Sequence, residues 1–428
     1  MNNKKTFQDI WRDYYEKSFN VSIPILAILS AFVVSGFILI AWGANVFEAY
    51  GALFSGAFGS PNAIATTLIR STPLLFTGLA VAYGYRGGFF NIGAEGQLWM
   101  GAYAAVWVGA TLTNWPGWAL IPACMAAAML FGSLYALLPG ILKATRGVNE
   151  VLTTLLMNYI AIQFAEWAMR VDHFTRGLEL NANGEVPVWS WVSWIGIKDP
   201  AQPFPKSPFT AEAAYMPSLK SIMEIPIFVN LFGSSAWYES ISSIPAFGRM
   251  TLAPVLGVGF VLLMYFIMFR TTIGYKSRAV GINPQAAKAM GINIPRTIII
   301  TALISGALAG LAGGMEVLGS QHRIIPKFLV NAGFEGIPVA LIGQLHPIGV
   351  LLSATFFGAL KAGANKMGII TMIPVTVIYV IQALAILFAI AGTTFDVEST
   401  LKKRRLMRRQ PPEPPSANLS NTEEESHV

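Results

Sequence analysis

The side chains best suited to bind a solute are polar groups that interrupt an apolar run at 86–105, RGGFFNIGAEGQLWMGAYAA. Asn91, Glu95 and Gln97 follow two glycines and offer donors and acceptors of hydrogen bonds. Irregular backbone inside a membrane is stable only where protein or a water-filled cavity covers it. The segment therefore predicts a broken helix that presents these groups to a solute path. A glycine-rich helix contact whose polar groups are satisfied internally is an equal alternative.

The sequence contains a single cysteine and four histidines without metal-site spacing, so neither a metal nor a cofactor is expected. It also has no phosphate-binding Gly-Lys-Ser/Thr motif, no series of intramembrane acids and no paired carboxylates. Energy for transport must come from elsewhere, or the path is passive.

A second segment, 270–296, is basic and lies between two apolar runs. Asn283 followed by Pro284 is typical of a helix start, with asparagine at the N-cap and proline at the first helical position. A short helix at the membrane surface would be a natural docking element. An ordinary solvated loop is the alternative.

A third segment contains Gly306, Gly310 and Gly314, which recur every four residues. That spacing places the three glycines on one face of a helix. A face of small residues allows a neighbouring helix to approach closely. We therefore expect the three glycines to act in helix packing.

These segments lie among long apolar runs. Hydrophobic residues make up 54% of the 428-residue chain and charged residues 12%, about half the charged fraction of a soluble domain. The composition predicts an all-α polytopic membrane protein with about ten transmembrane or half-membrane helices. The eighth segment is too short to cross a hydrocarbon core of about 30 Å alone. The ten segments are 21–42, 63–84, 89–111, 118–142, 150–169, 250–269, 297–317, 336–345, 347–367 and 373–392.

The distribution of Lys and Arg predicts the orientation, because cytoplasmic loops are enriched in both. It places the N-terminal segment 1–20, the loop 270–296 and the basic tail 393–428 in the cytoplasm. The short loops near 45–62 and 112–117 carry no basic residue and are expected outside. The proline- and tryptophan-rich segment 170–249 is expected to be an extracytoplasmic insertion between helices 1–5 (21–169) and helices 6–10 (250–392). The positive charge is concentrated in the tail, which argues against nucleic acid as a partner.

Four ordered motifs resemble the permease subunit of ribose-type bacterial ABC importers, and most closely its nucleoside branch. They are RGGFFNIGAEGQ, GVNEVLTTLLMNYIA, RAVGINPQAAKAMGI and GFEGIPVALIGQLHPIGVLL. The match covers most of 63–170 and 250–392. The segment 170–249 is longer than the family pattern leads us to expect.

The resemblance implies a non-catalytic subunit of the bacterial plasma (inner) membrane that forms a translocation path for nucleosides. Such polar, uncharged solutes bind through hydrogen-bonding groups and aromatic faces. Tyr83, Asn158 and Tyr159 would supply these groups together with Asn91 and Gln97. Its partners would be a cytoplasmic ATP-binding subunit, a second permease (identical or related), a periplasmic or lipid-anchored binding protein, and membrane lipid. Simple sugars such as ribose are the alternative substrate, and a stand-alone secondary carrier or channel is the alternative class. The residues that match the family's ATPase-coupling element are Arg278, Ala279, Gly281, Asn283, Ala286, Ala287 and Gly291. We expect Ala286 and Ala287 to seat in a cleft of the ATPase.

Overall fold

The computed structural model is helical throughout the part of the chain that it describes. It describes residues 29–171, 194–199, 201, 204–224, 229, 244–329, 331–372, 379–380, 383–384 and 386–388. Within these residues there is no extended strand, and the β-pairing consists of isolated bridges such as the one between Ser218 and Thr251. The expected all-α class is therefore confirmed. The segments 1–20 and 393–428, and most of the tenth predicted span, lie outside the described residues.

Fourteen α-helices have defined bounds within the described residues, and further helical residues are described at 194–195, 229, 379–380, 383–384 and 386–388. The first half of the chain contains α1 (Leu29–Ala41), α2 (Val46–Phe58), α3 (Pro61–Arg86), α4 (Ala94–Thr111), α5 (Gly117–Arg146) and α6 (Glu150–Ala168). Two short helices follow, α7 (Leu219–Met223) and α8 (Ala246–Arg249), after a 3-10 turn at Glu212–Ala214. The second half contains α9 (Ala253–Arg270), α10 (Thr272–Ile282), α11 (Pro284–Ala289), α12 (Ile294–Glu316), α13 (Ala332–Ile342) and α14 (Pro347–Thr371). A π-helical turn, Val317–Gln321, extends α12.

In the described part of the chain, five helices are long and apolar enough to cross a membrane: α3, α5, α9, α12 with its π turn, and α14. They coincide with five of the ten predicted segments. The helix α13, which overlaps the eighth segment, has 11 residues and a length of about 16 Å at 1.5 Å per residue. It reaches about half-way across a hydrocarbon core. The expectation that this segment cannot span alone is confirmed.

Two predicted boundaries differ from the structure. The expected loop at 45–62 contains α2, whose first turn is capped by the Asn45 side chain. Its 13 residues are too few for a search window of about 19 residues, and its stability comes from packing, since Gly56 lies against Gly363 of α14. The predicted span 89–111 becomes helical only at Ala94.

The centre of the bundle is α12, which packs against α3, α4 and α5. Its glycines allow this close approach: an added Cβ at Gly306 would lie 2.5 Å from the Cβ of Ala136, and one at Gly314 would lie 2.7 Å from the Cβ of Ala128. Gly310 meets Gly132 of α5 backbone to backbone. Close contact between small residues stabilises helix pairs through van der Waals packing.

Several described parts of the long segment 170–249 pack against the bundle. The Tyr103 hydroxyl of α4 donates to the Ile195 carbonyl at 2.8 Å, and the Met216 amide donates to the Leu318 carbonyl at 2.8 Å. Ile197 and Ala214 are fully buried. These parts of the insertion therefore form one structure with the helices.

Candidate functional site

The chain between α3 and α4, residues 87–93, is not helical and is contacted by α5, α6, α10 and α12; we call it the junction. A clamp on one side of it comes from α5 and α6. Lys143 of α5 forms an ion pair with Glu150 of α6 and donates to the Gly88 carbonyl at 2.5 Å. The Phe90 amide lies 3.5 Å from the Glu150 carboxylate. The clamp holds backbone groups that the break in the helix leaves without helical partners.

Asn91 is the centre of a buried hydrogen-bond network. Its amide nitrogen donates to Gln97 Oε1 at 2.7 Å and to Ser305 Oγ at 2.9 Å. Its carbonyl oxygen accepts from the Gly93 amide at 2.9 Å. Ser305 in turn donates to the Ala80 carbonyl at 2.7 Å. The network ties α4 to α12 and α3 through side chains that are all buried.

Asn158 of α6 secures the start of α4. Its side chain accepts from the Gly96 amide at 2.8 Å and donates to the Ile92 carbonyl at 3.0 Å. Thr154, one turn earlier, lies 3.3 Å from the Ile92 amide. Two neighbouring turns of α6 thus supply partners for the irregular backbone.

Glu95 connects the first turn of α4 to the start of the half-length helix α13. Its carboxylate accepts from the backbone amides of Gly333 at 2.6 Å and Asn331 at 3.2 Å. It also accepts from the Trp99 indole at 3.2 Å. The first amides of a helix have no helical partner, and a carboxylate is favourable at this positive end. Glu95 therefore acts as a cap supplied by a different helix.

The two tyrosines of the candidate set lie in different surroundings. Tyr83 is buried, and its hydroxyl lies 3.2 Å from Ser277 Oγ, which also accepts from Thr301 at 3.2 Å. Tyr159 is 63% exposed on α6 and is separate from the network. The structure therefore brings five of the six candidate side chains into the interior, where they bond to one another, to the backbone or to neighbouring side chains. This is the internally satisfied arrangement that the sequence left as one of two alternatives.

Several residues of this site were missed at the sequence level. Thr154, Ser305 and Lys143 have ordinary positions in apolar helices, and nothing local marks them as partners of the junction. Ser305 lies 214 positions after Asn91. Only the tertiary fold pairs them.

The segment 270–296 contains the short helix that its sequence predicts. Asn283 is the N-cap of α11, and its side chain accepts from the amides of Gln285 and Ala286, both at 3.0 Å. Gln285, Ala286 and Lys288 are exposed.

Two side chains of this segment that match the family's coupling element are buried or half-buried within this chain. Ala287 is fully buried in a cluster inside this chain, so its side chain is not free to seat in a partner. Arg278 is half-buried, with its guanidinium carbon 5.1 Å from the ring centre of Phe269. The reason is geometric, because adjacent positions on a helix differ by about 100° and face different sides. The cluster around Ala287 is formed by Phe89, Val280, Ile292, Ile298 and Ala302.

The same cluster joins α11 to the junction. Phe89, which belongs to the junction, is fully buried in it. An added Cβ at Gly281, near the end of α10, would overlap the Arg86 carbonyl, and one at Gly88 would lie 3.2 Å from the Gly281 Cα. The absence of side chains at both glycines lets the two backbones touch. The exposed helix α11 is therefore one packing layer away from the buried network.

Several long apolar helices packed around a buried, internally bonded break define a multi-pass membrane protein. The chain belongs to the family described as "Branched-chain amino acid transport system / permease component", which matches residues 63–176 and 209–391.

Among curated relatives, the guanosine ABC transporter permease protein NupP of Bacillus subtilis is 32% identical over 89% of this chain and 97% of its own length. The nucleoside ABC transporter permease protein NupB of Lactococcus lactis is 29% identical over 92% of this chain and 96% of its own. The glucose ABC transporter permease protein TsgB13 of Haloferax volcanii is 31% identical over 87% of each chain. No solved structure matches the chain.

Proposed function

We propose that this chain is the transmembrane subunit of an ATP-binding cassette importer and forms a translocation path for nucleosides. The observation that carries the proposal is the similarity over nearly the whole chain to two permeases named for guanosine and nucleosides. The buried hydrogen-bond network of the junction supports it, since uncharged polar solutes are bound through groups of this kind. Within the described residues no group of three or more His, Cys, Asp or Glu side chains could hold a metal.

The importer would contain two permeases over a separate ATP-hydrolysing subunit, and a binding protein would deliver the solute. The second permease is supported by NupQ of Bacillus subtilis, a further guanosine permease that is 28% identical over 78% of this chain. Two related permeases named for one solute in one organism favour a heterodimer. We place the complex in the bacterial inner membrane, with both termini in the cytoplasm.

The exposed surface of α11 is our candidate for the ATPase contact, through Gln285, Ala286 and Lys288. A displacement of α11 would act on Phe89 through the buried cluster and on Arg86 through Gly281. Closely packed elements move between discrete arrangements rather than deform gradually. The junction is therefore the element that we expect to change when ATP binds.

In the transporting state, the junction would exchange internal hydrogen bonds for bonds to the solute. Asn91 and Gln97 are suited to this role because each amide both donates and accepts. A typical hydrogen bond contributes a net stability of about 1 kcal/mol, so the exchange of two or three such bonds lies within the energy of ATP hydrolysis. Tyr159, on the exposed side of α6, would then face lipid or the second permease.

Simple sugars are the second candidate substrate, and the glucose permease relative supports them. Both solute classes are uncharged and rich in hydroxyl groups. Uptake measurements distinguish them directly.

The test uses cells that lack other nucleoside uptake systems and express this chain with its companion permease, ATPase and binding protein. We expect uptake of radiolabelled nucleosides that an ATPase variant without hydrolysis abolishes. Uptake of ribose or glucose instead would support the second candidate. Nucleoside uptake that persists without the ATPase would contradict the importer and favour a stand-alone carrier.

A further inference from the structure

A cavity of about 460 Å³ lies between the first turns of α3 and the end of α12, away from the junction. This volume is typical of small-molecule sites. Its walls come from α3, from the segments around 215–218 and 248–251, and from the π turn after α12. The polar side chains that line it include Arg70, Tyr215, Arg249, Glu316, Gln321 and His322. Because α3 begins outside in the proposed orientation, the cavity is at the outer end of the bundle.

Glu316 is the chemically distinctive group of this cavity. It is 6% exposed and forms no ion pair within the described residues; the Gln321 amide lies 3.4 Å from its carboxylate. A carboxylate buried within a membrane is costly, and such groups generally mark a functional site. Arg70 and Arg249 add positive charge to the walls.

Two stacked rings form another part of the cavity wall. The Tyr215 and His322 ring centres are 3.8 Å apart, with their planes inclined by 21°. His322 Nδ1 is buried and has no hydrogen-bond partner among the described residues. Burial lowers the pKa of His322 and raises the pKa of Tyr215, so both rings are uncharged at neutral pH. The stacked pair offers an aromatic wall with an unsatisfied nitrogen at its edge.

The local backbone geometry supports a functional role for this cavity rather than a role in packing. His322 has φ +57° and follows the π turn Val317–Gln321. Both features are less stable than regular helix and occur preferentially at functional sites. In this chain they bring Glu316 and His322 to the same cavity.

We propose that this cavity binds the transported solute, with Glu316 accepting hydrogen bonds from two adjacent donors of an uncharged solute beside the Tyr215–His322 wall. The inference rests on the proposed function. In a nucleoside, paired donors come from two sources: the guanine edge, which has two neighbouring N–H groups, and the cis-diol of ribose. The guanidinium groups of Arg70 and Arg249 would serve the solute's oxygen atoms.

The test is uptake by the intact importer with Glu316→Gln, which keeps the size of the side chain and replaces one acceptor by a donor. The matched control is Glu224→Gln, an exposed carboxylate of the same outer region that does not line the cavity. Three solutes separate the two sources of donors: guanosine has both, 2'-deoxyguanosine only the base edge, and adenosine only the diol. We expect uptake to fall about tenfold for the recognised solutes, the effect of losing a hydrogen bond to a charged group.

The pattern of losses decides the outcome. A loss for guanosine and 2'-deoxyguanosine with adenosine spared assigns the base edge to Glu316, and a loss for guanosine and adenosine with 2'-deoxyguanosine spared assigns the diol. Equal loss for all three solutes in Glu316→Gln, or no loss, overturns the inference. The proposed function remains intact in that case if the wild-type importer takes up nucleosides normally. A wild-type importer that takes up no nucleoside contradicts the proposed function itself.

A second measurement does not depend on the Glu316 variant. Gly248 lines the cavity, is exposed and has open space at its Cβ position, so Gly248→Cys fits without strain. The single native cysteine, Cys124, is buried. Saturating guanosine should slow the reaction of Gly248→Cys with a thiol reagent and leave the exposed control Ser221→Cys unaffected. Equal labelling rates with and without guanosine would overturn the inference.

Discussion

At the scale of single residues, Glu95 links two broken elements. It belongs to the first turn of α4 and accepts from two amides at the start of α13. Both helices begin inside the bundle, where water cannot satisfy their first amides. A single buried carboxylate therefore holds the relative position of two helix starts.

We predict that Glu95→Leu lowers the stability of the protein by about 1–3 kcal/mol, because buried amides lose their acceptor. Glu95→Gln keeps one acceptor oxygen, so we expect the importer to assemble but to transport more slowly. Thermal unfolding in detergent and nucleoside uptake measure the two effects. Wild-type stability and uptake in Glu95→Leu would show that the cap is dispensable.

The control for this pair is Glu48→Gln. Glu48 is an exposed acid in the first turn of α2. Its replacement should change neither unfolding nor uptake by a measurable amount. A comparable effect at Glu48 would attribute the Glu95 result to a general loss of negative charge.

At the scale of elements, the helix α11 has an exposed face and a buried face. Ala286 is exposed and Ala287 is fully buried against Phe89. Two identical side chains one position apart therefore occupy an exposed position and a buried position. They form a matched pair of sites for substitution.

We predict that Ala286→Trp leaves the stability of the chain unchanged but weakens ATPase association and uptake together. Ala287→Trp should instead destabilise the chain by about 1–3 kcal/mol, because the buried cluster has no space for a large ring. Co-purification with the ATPase and thermal unfolding distinguish the two variants. Normal ATPase association in Ala286→Trp would remove α11 from the contact surface.

The glycine face of α12 provides a second prediction at this scale. Gly310 meets Gly132 backbone to backbone, so Gly310→Leu would force α12 and α5 apart. We expect loss of folded protein in the membrane rather than selective loss of uptake. Gly259→Leu is the control, since Gly259 of α9 has no atom near its Cβ position. A folded but inactive Gly310→Leu protein would assign this face to the moving path.

At the scale of the whole molecule, the distribution of basic residues predicts one orientation. Ser221, in the segment that this orientation places outside, is exposed and suited to labelling, whereas Ser207 of the same segment is buried. In a Cys124→Ser background, Ser221→Cys should react with an impermeant thiol reagent in intact cells. Ser416→Cys, in the tail, should react only after permeabilisation. The reverse pattern would invert the topology.

Much of the architecture follows from sequence because bilayer thickness imposes a length on each crossing segment. Five long apolar runs became α3, α5, α9, α12 and α14 nearly unchanged. The start of α11 was equally predictable from the sequence, since Asn283 and Pro284 act on their own neighbouring backbone. The length of an apolar run and the capping of a helix both depend only on residues that are neighbours in the sequence.

The partners of the polar groups were decided only by the tertiary structure. The bonds from Asn91 to Ser305 and from Glu95 to Gly333 join positions more than 200 residues apart, and no local pattern encodes them. The burial of Ala287 depends likewise on where Phe89 packs. Sequence determined that this chain is a membrane bundle with a broken polar helix, because those features depend on composition and spacing. Its interior contacts were determined by packing, because a hydrogen bond requires two groups that only the fold brings together.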